Sequence, residues 1–219
     1  MEKLDLLKSL PLFQSMSDDT LYHLGGKVHW RSYEEGETIF LQGDPGSTCH
    51  VIVKGRVRIY VTGEDGRELS VRILGKGEVF GEMALFEDLP RSASVVTLEQ
   101  THTLELSREV LISCLKRSPT LALGMLRNMS ARLRHATQEA ERLALLPVPE
   151  RLMIRLNKMA DWCGKPVAGG VRLMLPMNQQ ELATLVGTSR ESVNRALMRL
   201  REEGKVRMDN GWIVLLAED

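Results

Sequence analysis

The 219-residue chain contains no apolar run approaching the roughly 18 residues that a membrane-spanning helix needs. Its opening Met-Glu-Lys-Leu-Asp lacks the basic and then apolar order of a secretory signal, so neither a targeting segment nor a membrane partner is expected. Cysteine is scarce. Cys49, Cys114 and Cys163 stand far apart, which excludes a metal knuckle or paired redox motif and favours a reducing, cytoplasmic compartment. An excess of one charge is absent too: 29 Lys and Arg match 29 Asp and Glu, which weighs against nucleic-acid binding along the whole surface. The balance is slightly uneven, with 11 basic against 9 acidic residues from position 150 onward. No Ser/His/Asp, Cys/His or metal-ligand constellation stands out, so no catalytic residue, metal or haem is expected. Cys49-His50 is a single pair of ligand types on an expected strand, and His23, His29, His102 and His135 are scattered like ordinary surface or core histidines.

What is present reads as a soluble two-domain chain, with 43% hydrophobic and 26% charged residues. The two parts are joined by a long helix. Ser118 is a good N-cap, Pro119 suits the first helical position, and Pro147 and Pro149 close the far end. Inside these limits Ala122, Leu126, Met129, Leu133, Ala136, Ala140 and Leu143 alternate spacings of four and three, the a/d seam of a coiled coil. Arg127, Arg132, Arg134, Gln138, Glu139 and Arg142 occupy the other faces. A core helix lying on its own domain is the simpler alternative, but a stripe held for about three heptads favours a second copy of the same helix.

Before that helix the pattern is mostly β. After short helical pieces over residues 4–28, with a bend at 10–13 and a helix start at Ser17-Asp-Asp-Thr20, strands are expected at 38–41, 51–53, 57–61 and 69–74. Gly43-Asp-Pro-Gly46, Lys54-Gly55, Glu64-Asp-Gly66 and Gly75-Lys-Gly77 separate them, which is the spacing of a small barrel or roll able to enclose a ligand. The chemistry concentrates at 77–95. Gly81 allows close backbone approach, a short helical turn over 82–86 offers free N–H groups, and Arg91 with Ser92 adds a guanidinium and a hydroxyl, a set suited to one phosphate. Glu82 is the odd member, because a carboxylate beside a phosphate needs hydroxyl donors such as a ribose supplies. Sugar with phosphate means nucleotide; the alternative is an internal Glu82–Arg91 ion pair in a tight turn.

The run Gly-Glu, apolar residues, then Arg-Ser-Ala resembles the phosphate cassette of cyclic-nucleotide-binding domains, and the glycine-punctuated roll before it matches as well. The resemblance implies that Glu82 binds the ribose 2′-hydroxyl, that Arg91 and Ser92 bind the cyclic phosphate, and that Gly81, Met83 and Ala93 are backbone neighbours. The implied effector is a cyclic nucleotide, cyclic AMP foremost.

After residue 149, a helix is expected over 150–162, a loop over 163–170 and a short strand over 171–175. Asn178 and Glu181 form a capping box opening one helix, Gly187 ends it, and Thr188-Ser-Arg-Glu191 is expected to form a second capping box opening a second helix. Val193, Ala196, Leu197 and Leu200 turn inward on that second helix, while Ser189, Arg190, Glu191, Asn194 and Arg195 remain outward. Arginine reads guanine O6 and N7, Glu accepts from cytosine N4, and Asn178, Ser189 and the helix N-termini suit phosphates, against the simpler reading of a solvated charged face. Asp209-Asn-Gly211 is a hairpin turn for a wing.

This segment, with its Val-Gly-Thr-Ser-Arg-Glu-Ser-Val-Asn-Arg run, resembles the winged helix of the CRP/FNR superfamily of bacterial transcription regulators. The resemblance covers nearly the whole chain. It implies an α+β architecture: a cyclic-nucleotide-binding β-roll of jelly-roll type at 1–117, a dimerisation helix at 118–148 and a winged helix-turn-helix at 149–219. It further implies a homodimer on a palindromic duplex, controlled allosterically by its effector, with base reading at Arg190, Glu191 and Arg195. In the family polar residues of the long helix also contact the adenine; counted back from Val148, those positions are Ala136, which can neither donate nor accept, and Thr137, which keeps a hydroxyl. The loop 162–170 lies where relatives touch RNA polymerase, although a plain surface loop is the simpler reading. A same-fold regulator that senses another effector, or is active without one, is the alternative; the iron-sulfur version would need a cysteine cluster. An enzyme with a fused catalytic domain has little room in what is left of the chain.

Overall fold

A computed structural model describes residues 3–10, 13, 14, 16–174 and 178–217. Pro11 and Leu12 of the expected bend, the His23 side chain, and Leu175 at the expected strand end lie outside the described residues. The chain divides into two compact units: Met1–Gly66 with Val71–His135, and Arg67–Ser70 with Ala136–Asp219.

The first unit begins with helices α1 (Lys3–Ser9) and α2 (Asp18–Gly25), followed by strands β1 (His29–Tyr33), β2 (Thr38–Phe40), β3 (Thr48–Lys54), β4 (Val57–Thr62), β5 (Glu68–Leu74) and β6 (Val79–Phe80). The short helix α3 (Met83–Glu87) then leads into β7 (Ser94–Thr97), β8 (Thr101–Ser107) and helix α4 (Arg108–Arg117). Two four-stranded sheets result, ordered β1-β8-β3-β6 and β2-β7-β4-β5. This is the two-sheet roll that the glycine spacing predicts. Strand β3 shows why its sequence reads as a continuous apolar run: Cys49, Val51 and Val53 pack toward the helices, while Ile52 packs with Val57, Leu74, Phe80 and Val95 between the sheets. The outer cluster is closed by Leu7, Phe13, Leu21 and Leu111 from α1, α2, α4 and the adjoining turn. His50 lies inside the roll, stacked on Phe80 at 5.0 Å, with Nδ1 3.2 Å from Thr103 Oγ1. Burial holds its pKa down at about 4, so it is neutral near pH 7.

Helix α5 (Pro119–Leu145) has 27 residues and lies between the expected limits of Ser118 and Pro147. The Leu121 amide donates to Ser118 Oγ at 3.2 Å, the N-cap role assigned to that serine. Leu121 and Met125 are buried against the roll's outer cluster, whereas Leu126, Leu133 and Leu143 of the heptad stripe are exposed, Leu133 at 70%. A single chain therefore leaves this stripe uncovered.

The second unit holds α6 (Val148–Cys163), β9 (Gly164–Val167), β10 (Gly170–Leu173), α7 (Gln179–Val186), α8 (Arg190–Glu202), β11 (Val206–Asp209) and β12 (Trp212–Leu216). Leu152, Leu156 and Met159 of α6, Leu182, Ala183, Leu185 and Val186 of α7, and Val193, Ala196, Leu197 and Leu200 of α8 are buried beside a sheet ordered β11-β12-β10-β9. Asn210 and Gly211 both have positive φ, 51° and 85°, the pair that a two-residue turn matched to strand twist demands. At the α5–α6 elbow Glu139 receives three cations: Arg142 at 2.5 Å, Arg155 at 2.8 Å and Lys158 at 3.3 Å.

Three expectations need correction. Pro149 does not end α5. It lies in the first turn of α6, where its missing N–H costs no hydrogen bond. Residues 163–170 are not a loop, because Gly164–Val167 pairs antiparallel with Gly170–Leu173 as a hairpin. The expected second capping box is also absent: Ser189 Oγ accepts from the Ser192 amide at 3.2 Å, so Ser192 rather than Glu191 holds the third helical position and cannot reciprocate as a Glu would.

Candidate functional site

Two groups of side chains carry chemistry, one in each unit. In the roll, Gly81 has φ 79°, and a Cβ there would lie 2.6 Å from Arg91 Nη1, so glycine is required both by backbone and by space. Arg91 Nη1 donates to Gly81 O at 2.7 Å and Nη2 to Thr48 Oγ1 at 3.4 Å, while the guanidinium carbon sits 4.0 Å from the centre of the Phe40 ring. Backbone bonds from Arg91 N to Asp44 O and from Gly43 N to Arg91 O fix the base of this side chain against the Gly43–Gly46 turn. Gly46 is needed for a further reason: a Cβ there would meet Ala84 Cβ at 2.4 Å. Burial lowers the Arg91 pKa, opposed by the carboxylates of Asp44 and Glu82.

Glu82 is 3% exposed and directly precedes α3, with no hydrogen bond from its side chain to the helix N-terminus. Its partner is Arg132 of α5, not Arg91: Arg132 Nη1 donates to Oε1 at 2.6 Å, and Nη2 donates to Val79 O. The expected alternative of a Glu82–Arg91 ion pair is thereby replaced by a pair that ties the long helix to the cassette. Burial raises the Glu82 pKa, and Arg132 pulls it back. Among the described residues, Glu82 Oε2 and Arg91 Nε are buried with no hydrogen-bond partner. Ser92 is exposed, its hydroxyl 3.7 Å from Met83 Sδ, and Ala93 precedes β7. Gly81, Glu82, Met83, Arg91, Ser92 and Ala93 thus gather around one corner of the roll, whereas Thr137 is exposed on α5 in the second unit.

In the second unit, the Asn178–Glu181 capping box is complete: Asn178 Oδ1 accepts from the Glu181 amide at 2.9 Å and Glu181 Oε2 accepts from the Asn178 amide at 2.7 Å. Gly187, at φ 68°, ends α7 and donates to Ala183 O, which allows the chain to turn directly into α8. On α8 the side chains of Arg190, Glu191, Asn194 and Arg195 are exposed, with Arg195 Nη2 3.1 Å from Ser192 Oγ. The carboxyl of Glu191 is held below its ordinary range by the backbone amide at the helix N-terminus and then by Ser189. Arg199 is tied to Glu203 at 2.7 Å. The helix pair therefore presents Arg190, Glu191, Asn194 and Arg195 to solvent over an apolar base.

Comparison with known proteins matches both units. Residues 30–118 fit the model of the cyclic nucleotide-binding domain, and residues 150–219 fit the Crp-like helix-turn-helix domain. The chain is 34% identical over 207 residues to the cyclic AMP receptor protein of Thermus thermophilus, covering 94% of this chain and 93% of that one. The chain belongs to the CRP/FNR family of transcription regulators. It is also similar, at 30% identity over 98% of its length and 95% of the relative's, to the CRP-like cAMP-activated global transcriptional regulator of Mycobacterium tuberculosis. Among solved structures, the c-di-GMP responsive global regulator CLP of Xanthomonas campestris superposes with a TM-score of 0.81 at 31% identity, covering 92% of this chain and all of that one. As a CRP-family protein the chain is a DNA-binding transcription regulator with a cyclic nucleotide-binding domain, in a family of regulators rather than enzymes. Among the described residues no helix is long and apolar enough to cross a membrane and no cluster of His, Cys, Asp and Glu can hold a metal ion.

Proposed function

We propose that this protein is a cytoplasmic homodimer whose binding to a palindromic DNA site is controlled allosterically by cyclic AMP held at Gly81, Glu82, Met83, Arg91, Ser92 and Ala93, with Thr137 at the base. The domains are taken as 1–117 for the sensor, 118–148 for the dimer helix and 149–219 for the DNA reader. One observation carries the ligand assignment: a buried carboxylate oxygen of Glu82 and a buried guanidinium nitrogen of Arg91 lack partners in the same corner of the roll. An unfilled acceptor beside an unfilled cationic donor suits a molecule that brings a hydroxyl and an anionic oxygen together, as a ribose cyclic phosphate does. Asn178, Ser189, Arg190, Glu191, Asn194 and Arg195 form the DNA-contacting set, and the exposed Leu126, Leu133 and Leu143 stripe is where a second copy packs.

Calorimetric titration with cyclic AMP, cyclic GMP and cyclic di-GMP tests the sensor. Heat is expected with cyclic AMP at one site per chain and is expected to vanish in Arg91→Leu. Silence with all three nucleotides overturns the effector assignment. Leu133→Arg, which puts charge into the seam, is expected to give single-chain mass by sedimentation and to lose specific DNA binding together; a tightly binding dimer of that variant defeats the proposed interface.

A second reading keeps the fold and changes the effector, or dispenses with it. Two observations favour it: Arg132 is paired with Glu82, the residue assigned to the ribose, and the Xanthomonas regulator of the same fold responds to c-di-GMP. Selective heat with cyclic di-GMP, or nucleotide-independent shifts on a selected operator, distinguishes this reading from the first.

A further inference from the structure

We propose that Gln179 is a positioning residue that orients Arg190 and fixes the hydrogen-bond polarity of Asn194, so that both side chains present donors to the duplex. The inference rests on the reading role proposed above for these two side chains. Gln179 is the first residue of α7 and is half-buried between the helices, whereas Arg190 and Asn194 are exposed. Its amide bridges them. Gln179 Oε1 lies 3.4 Å from Arg190 Nε, and Gln179 Nε2 lies 3.2 Å from Asn194 Oδ1.

The chemistry of the guanidinium decides which way this chain of bonds runs. Arginine has donors and no acceptor, so the atom facing Arg190 Nε must be the Gln179 carbonyl oxygen. The NH2 end of the same amide then faces Asn194 and must find an acceptor, which turns Asn194 Oδ1 inward and its NH2 outward. Reversing the Gln179 amide would set donor against donor at Arg190. One glutamine therefore orients Arg190 and determines which end of its amide Asn194 can offer. Arg190 keeps its two Nη groups for the groove, and Asn194 offers a donor where an unconstrained Asn could offer either end.

A face that only donates at these positions favours base edges that only accept. In the major groove guanine presents N7 and O6 as acceptors, while adenine places its N6 donor beside N7 and cytosine presents the N4 donor. Guanine is thus the base assigned to Arg190, and an acceptor such as a purine N7, thymine O4 or a phosphate oxygen is assigned to Asn194. Asn178, one residue earlier, is occupied by its capping box, so it cannot substitute for Gln179 in this relay.

The test is selection of duplexes from a random pool by the full-length chain, with and without cyclic AMP. Affinities then follow for the selected site carrying each of the four bases at every position. In Gln179→Leu the preference for guanine at one symmetric pair of positions is expected to fall about tenfold, while the dependence on salt is unchanged, because no phosphate contact is removed. Gln179→Glu retains the acceptor for Arg190 and loses the donor to Asn194; it is expected to keep the guanine preference and relax the position read by Asn194. A loss of affinity that is uniform across sequences with a shallower salt dependence makes Gln179 a phosphate contact and overturns the inference, as does an unchanged base matrix. Arg190→Ala separates the two levels. If it leaves the matrix intact, the base-reading role itself fails; if it abolishes the guanine preference while Gln179→Leu does not, the relay alone fails.

Discussion

The two units keep their chemistry in opposite places. In the roll, Glu82 and Arg91 are buried among strands, with Phe40 beneath the guanidinium and Phe80 beside Phe40, and each charged group is also part of the packing. In the helix-turn-helix, the apolar base of Val193, Ala196, Leu197 and Leu200 is separate from the exposed Arg190, Glu191, Asn194 and Arg195. A small ligand is recognised by enclosure, so the groups that bind it must be desolvated and mutually supported. A duplex is recognised on its outside, so the groups that bind it stay solvated until contact. Substitutions in the roll should therefore disturb folding and binding together, whereas substitutions on the reading face should disturb binding alone.

The strongest challenge to this contrast is Arg132→Ala. It strips the counter-charge from a carboxylate that is 3% exposed, and a thermal or denaturant melt is expected to show a loss of roughly 3–5 kcal/mol at neutral pH. The loss should shrink as acidification protonates Glu82, whose pKa burial already raises. A melt indistinguishable from that of the unaltered chain would mean the pocket does not depend on the pair.

His50 supplies the next effect through pH. Its pKa is pushed down to about 4 in the fold from the ordinary 6.5 of histidine, so the unfolded chain binds the extra proton first. The stabilisation is full above about pH 6.5 and is lost as pH falls toward 4, amounting to about 3 kcal/mol at most by the linkage relation. Stability measured across that window should flatten in His50→Gln, after allowance for the general offset of a core substitution. Arg190→Ala comes third: DNA affinity is expected to drop by about 1–3 kcal/mol on the selected site with an unchanged melting temperature. A clear fall in melting temperature would erase the distinction between the units. The smallest effect is Asn178→Ala, expected to cost about 1 kcal/mol of stability through loss of the cap, read as a lowered denaturant midpoint.

Legibility followed the same divide. The α7–α8 turn was readable because every signal in it is local: a capping box spanning four residues, a Gly187 that needs positive φ, and an apolar face at helical spacing. Strand β3 was readable as strand but not as doubly covered, since the periods of its two buried faces cancel. In the sequence Arg132 reads as one of several solvated charges on α5, because its partner Glu82 lies 50 residues earlier and no sequence period links them. The hairpin of β9 and β10 was obscured by Gly164 and Pro166, which usually mark loops; Pro166 pairs here on the edge strand β9, where one lost N–H is tolerated. Glu191 looked like a capping partner by residue type, but the cap began one residue later than the pattern proposed.

The elbow at Glu139 has a consequence for how salt acts on this protein. One carboxylate there gathers Arg142, Arg155 and Lys158, a dense cluster of charge where α5 meets α6. Burial alone would push the Glu139 carboxyl upward, but Arg155 and Lys158 outweigh it and hold it below its ordinary range, so it stays ionised through mild acidification. Such a cluster invites counter-ions and weakens as they accumulate. A salt titration of operator binding will consequently count two kinds of ion exchange at once, at the DNA phosphates and at the joint leading into the reading head. The slope will overstate the number of phosphates gripped by whatever the joint contributes, and the same titration on Glu139→Gln subtracts that contribution.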